Sequence, residues 1–199
     1  VGEKAAMVGS VRLLSRITQE LTKQLGAKAP EVMNCRSSTE NTIKMLATQW
    51  HAEVLKTKNM DTLGLTRSLY EEYLKTYPES PVYYLMSYQY ADLMWFFNEE
   101  NEKAARTKEE KAKLTGDWLK LAKLFTSIVK LARPKDLKEA DFVGKRNDAA
   151  LAAVRCYMFA FNVTDDQITG QKRAGLEREC LEKKGKVCKK WGDVIYKPQ

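Results

Sequence analysis

Apolar residues recur along this chain every three to four positions, the period of a helix with one buried face. From Ala5 to Leu25 the stripe is Val8, Val11, Leu14, Ile17 and Leu21, and Gly26 with Pro30 behind it closes the helix. Ser38-Thr39-Glu40-Asn41 reads as the next start, and Ile43, Leu46, Ala47, Trp50 and Val54 make a stripe that runs to about Lys58. Asn59 to Gly64 reads as a turn. A third helix follows from about Leu65 to Tyr77, with Leu69, Tyr70, Tyr73 and Leu74 on one side. Ser80 suits an N-cap and Pro81 the first residue of a fourth helix reaching Phe97. That helix is apolar nearly all round, which predicts burial between neighbours.

The pattern then breaks. Asn98 to Lys113 carries five acids and five bases with little to bury, predicting a charged extension or loop, partly helical, standing off the body. Helices from Trp118 to Ala132 and from Lys138 to about Asn162 follow, separated at Arg133-Pro134, and a basic helix from about Lys172 to Trp191 ends the chain. No period-2 strand pattern occurs, so the expected fold is all-α. The expected organisation is a single domain over residues 1–199. It has an N-terminal helix (1–37), a first helix pair (38–80), a second pair (81–134) with the charged insertion at 98–115, and a third pair (136–199).

Composition limits the possible functions. The apolar share, 44%, is enough for a real core. No run of about 18 apolar residues is present, so no membrane-spanning helix is expected. The opening Val-Gly-Glu-Lys has neither Met nor a signal-like apolar block and reads as a trimmed or mature fragment. The net charge of +8 is concentrated at the end: residues 171–199 hold nine Lys/Arg against four acids. Lys183, Lys184, Lys186, Lys189 and Lys190 form a basic patch beside Trp191. Bases with an aromatic suit single-stranded nucleic acid. Leu181, Val187 and Trp191 interleave with them as in an amphipathic capping helix, the preferred reading, and absence of DNA or RNA binding at low salt would end the other.

Catalytic parts are missing. Cys35, Cys156, Cys180 and Cys188 include no C-x-x-C pair, and His51 is the single histidine, so no metal site is expected. Glu71-Glu72 and Glu99-Glu100 occupy adjacent helical positions, which do not face one another. No phosphate-cradling glycine loop or nucleophile elbow occurs. The chain is therefore expected to be no enzyme and to carry no cofactor. His51, beside Trp50, reads first as a partly exposed structural histidine and second as a groove-lining residue.

Residues 48–97 carry a resemblance. Trp50 takes the early bulky position of a tetratricopeptide (TPR) unit, which spans about 34 residues. Tyr70 and Tyr73 lie in its second helix, and Pro78 closes the unit 28 residues after Trp50. Val54 and Tyr73 depart from the motif, which wants small residues there. A second unit would use Tyr90-Ala91 and, past the charged insertion, Phe125 and Pro134. A third would use Ala149, Ala150, Ala152 and Ala153 as small crossing residues. The segment, with Tyr73-to-Pro81 as its link, resembles divergent periplasmic TPR-like proteins of delta-type Gram-negative bacteria. The resemblance implies antiparallel helix pairs stacked as a short α-solenoid. It implies a non-catalytic protein–protein interaction scaffold, a component or assembly factor of a cell-envelope complex, with a periplasmic or envelope location and the cytoplasm as the alternative. A membrane would be met only through an anchor ahead of Val1. In the implied register, His51, Leu55 and Lys58 from one helix and Tyr88, Asp92 and Trp95 from the next line a groove for a protein or peptide partner.

Overall fold

The computed structural model describes residues 2–162, and these are all-α: α1 (Gly2–Leu25), α2 (Pro30–Thr57), α3 (Met60–Thr76), α4 (Tyr83–Ala104), α5 (Lys108–Val129) and α6 (Glu139–Phe161). The expected helix from 172 to 191, the basic patch within it, Cys180 and Cys188 lie outside the described residues. The chain divides into two compact units, residues 1–97 and 98–199, with the boundary inside α4.

Several helix starts differ from the periodicity-based expectation, each through local chemistry. α2 begins at Pro30 rather than Ser38. Proline is preorganised for a first helical position, and Val32, buried to 1% exposure, secures that early turn. α3 begins at Met60, so the expected turn at 59–64 is its first turn and a half. The Asn59 side chain accepts from the Thr62 amide at 2.9 Å and caps it. α4 begins at Tyr83, two residues late, because Ser80 and Pro81 are spent on a turn closed by Tyr83 N–H to Ser80 C=O at 3.0 Å. The charged stretch, expected to be partly helical, is helical except for a short link. It is the end of α4, a short link and the start of α5, which opens on a capping box between Thr107 and Glu110.

In the first unit, α1, α2 and α3 alternate in direction. Thr18 touches Cys35 at 3.2 Å near one end, and Lys4 bonds Glu53 near the other. The core gathers Ile43, Ala47, Trp50 and Val54 of α2 with Leu63, Leu69, Tyr70 and Tyr73 of α3, joined by Met86 and Leu93 of α4. α1 contributes less than its stripe predicts. It buries Val8, Val11, Ser15 and Thr18, while Leu14 and Ile17 stay 39% and 43% exposed. The buried face is rotated toward small hydroxylated residues. Thr18 and Thr22 satisfy their hydroxyls on the carbonyls of Leu14 and Thr18, at 2.8 and 2.7 Å, while the buried Ser15 hydroxyl on the same face has no hydrogen-bond partner.

Tyr73 ties three elements together. Its ring is fully buried, and its hydroxyl meets Glu40 of α2 at 2.8 Å and Ser80 of the turn before α4 at 2.7 Å. Tyr73 donates its single proton to Glu40, so Ser80 donates to Tyr73. Ser80 in turn accepts from the Val82 amide at 3.2 Å, which fixes how the chain enters α4.

In the second unit α5 packs against α6. α5 presents Trp118, Leu121, Ala122, Phe125 and Ile128; α6 presents Ala149, Ala150, Ala153, Cys156 and Ala160. Phe142 is buried near the start of α6, but from Ala149 onward bulky side chains meet a row of small ones, and Leu151, Phe159 and Phe161 are 39–43% exposed. Phe159 stacks on Trp118 with centroids 4.7 Å apart.

Candidate functional site

α2 and α4 run in the same direction, with α3 antiparallel between them. Glu40 and Ser80 share the Tyr73 hydroxyl, and further along both helices His51 faces Asp92. The candidate residues take regular places on this frame. His51, Leu55 and Lys58 follow one stripe along α2; Tyr88, Asp92 and Trp95 follow one along α4. The pair brought together across the two helices is His51 Nε2 and Asp92 Oδ2, 3.6 Å apart. Leu55 is 46% exposed, Tyr88 and Trp95 are half-buried, and Lys58 is exposed at the left-handed residue that ends α2.

His51 is not the partly exposed residue expected. It is 6% exposed, beneath the face rather than on it. Its Nδ1 lies 3.1 Å from the Tyr70 hydroxyl, and the two rings meet edge to face. Tyr70 is itself fully buried, and burial first and the Asp92 charge second push its ionisation upward, so its hydroxyl stays protonated and can donate. With Nδ1 accepting from Tyr70, the ring proton sits on Nε2 and points toward the Asp92 carboxylate. At 3.6 Å that approach is electrostatic, too long for a good hydrogen bond. Asp92 keeps 59% of its side chain exposed, so its charge is displayed to solvent at the rim.

Burial lowers the His51 pKa from its ordinary value, and the opposing pull of Asp92 is smaller. The unfolded chain therefore takes up this proton before the folded one does. His51 contributes full stability above its unfolded pKa of about 6.5, and the contribution is lost as pH falls toward the folded value. Urea unfolding at stepped pH should show a drop on the acid side that shrinks in His51→Gln; an unchanged profile in that variant would assign the drop elsewhere.

A second polar cluster braces α4 against α3. Glu71 accepts from Arg67 Nε at 2.7 Å and from the Tyr90 hydroxyl at 2.9 Å. Burial and the neighbouring Glu71 push the Tyr90 pKa up to about 12, which keeps that hydroxyl a donor. Sequence reasoning missed Tyr70 and Glu71 because each lies about twenty residues from its partner and only the α2–α3–α4 packing unites them. The Thr107–Glu110 capping box was visible as a Thr-x-x-Glu spacing in the charged stretch.

Among the described residues no group of three or more His, Cys, Asp or Glu side chains is placed to hold a metal ion. No helix among them is long and apolar enough to cross a membrane. Cys35 and Cys156 are free thiols, and burial pushes the Cys156 thiol well above its usual range, leaving it a poor nucleophile. The face between α2 and α4 therefore offers shape, aromatic surface and one displayed carboxylate. Compared with protein-family models, curated proteins and solved structures, the chain matches none.

Proposed function

We propose that this chain is a non-catalytic, TPR-like scaffold of stacked helix pairs that binds another protein or a peptide along the α2–α4 face, as a component or assembly factor of a bacterial cell-envelope complex. The observation that carries the reading is the common direction of α2 and α4, with His51 meeting Asp92 across them. Two helices presented side by side in one direction leave a continuous strip in which an extended or helical segment can lie. Tyr88 and Trp95 flank Asp92 on that strip, and large, stiff aromatics are the side chains that most often anchor a partner. The envelope location rests on the resemblance of residues 48–97 alone.

The test is partner capture from cell-envelope extract by the whole chain and by Tyr88→Ala/Trp95→Ala. The double variant should lose its partner while keeping its helical circular dichroism. A folded double variant that retains every partner would show that binding lies on another face.

A further inference from the structure

We propose that the α2–α4 face selects a partner segment carrying lysine or arginine, bound at Asp92, and that protonation of His51 releases it. This rests on the binding reading above and adds the chemistry of the partner and a means of control.

Selection follows from what surrounds Asp92. Its carboxylate is 59% exposed, and among the described residues the group set against it is the imidazole of His51, 3.6 Å away. His51 Nε2 is buried without a hydrogen-bond partner, so the floor of the strip holds a polar group aimed at the carboxylate and not satisfied by it. The rim at Asp92 therefore displays negative charge to solvent. Tyr88 and Trp95 lie four residues before and three residues after it, on the same helical face. A carboxylate between aromatic rings suits an ammonium or guanidinium, which gains an ion pair and a ring-face contact together.

Release follows from the same distance. A proton on His51 puts a fixed cation 3.6 Å from the charge the partner needs, and the two cations compete for one carboxylate. The groups around the imidazole leave that competition to Asp92. From α3 it faces the Tyr70 hydroxyl, which donates to the neutral Nδ1 and must turn to accept when Nδ1 takes the added proton. Glu71 is occupied by Arg67 and Tyr90. From α1, Lys4 is paired with Glu53 and lies over the Trp50 ring. Burial makes the proton hard to add, so release belongs on the acid side of neutrality.

Random dodecapeptides displayed on phage, panned on the whole chain near neutral pH, test both parts. Enriched peptides should carry Lys or Arg, and their fluorescent synthetic forms should bind up to about fivefold more weakly to Asp92→Asn. Lys and Arg keep their charge between pH 7.5 and pH 5, so a comparable weakening near pH 5 must originate in the protein. His51→Gln should bind alike at both pH values, with His51→Asn as the second variant if the first loses its fold. Peptides that need Tyr88 and Trp95 but lack a base, or ignore Asp92→Asn, overturn this inference and leave the binding face standing. Enrichment of nothing, or of peptides indifferent to Tyr88→Ala/Trp95→Ala, overturns both. A pH response that persists in both folded His51 variants removes His51 from the release step.

Discussion

Tyr73→Ala should destabilise this protein by about 3–5 kcal/mol, the range for deleting a buried aromatic ring from a packed core. The ring is fully buried and lies 5.3 Å from that of Tyr77, so its removal leaves a cavity at the point where α2, α3 and the entry to α4 meet. The hydroxyl adds a smaller share. Tyr73→Phe keeps the ring and removes the bonds to Glu40 and Ser80, both of which are partly exposed and can turn to water. That change should cost about 1 kcal/mol, a typical net hydrogen bond. Urea denaturation of the whole chain followed by circular dichroism separates the two. If phenylalanine costs as much as alanine, the polar bridge rather than the ring holds the three elements together.

The second large effect belongs to α6. Ala153→Leu should cost about 1–3 kcal/mol, because the residue is fully buried where α6 packs on α5 and extra methylenes have no space there. Leu151→Ala, two positions away, should change stability by less than about 0.5 kcal/mol, since Leu151 is 43% exposed. Hydrophobicity alone would rank these changes in the opposite order. A thermal-melt series over Ala149→Leu, Ala153→Leu and Leu151→Ala decides between them. A large loss at Leu151 with none at Ala153 would mean that α6 meets α5 through its bulky side, not its small one.

These cases show how far the residue pattern reaches. α1, α5 and α6 were legible as helices; the Ala149–Ala153 cluster was expected to cross the C-terminal helix, which lies outside the described residues, and among the described ones α6 packs on α5. Ser38-Thr39-Glu40 misled as a helix start. Thr39 instead bonds back to the Cys35 carbonyl at 2.8 Å inside a continuous α2, which a hydroxyl does as readily as it caps. The charged stretch is more helical than expected because its residues satisfy one another along the helix, as Lys103 does with Glu100 at 2.6 Å, and need no core to be helical.

The candidate site was legible as two stripes, not as an arrangement. Nothing in the spacing of His51 revealed that it would be buried, or that Tyr70 would take one ring nitrogen and Asp92 approach the other. Those facts depend on the direction in which α4 returns past α2, which is set by the Tyr73–Ser80 contact and the packing of Met86 and Leu93. By itself the sequence determined that this protein is helical and roughly where its helices lie, because periodicity and capping are local and act within a few residues. Only the tertiary structure decided which face of α1 is buried, that α2 and α4 run side by side, and that His51 meets Asp92, because helix packing selects among faces by shape at distances the local pattern does not encode.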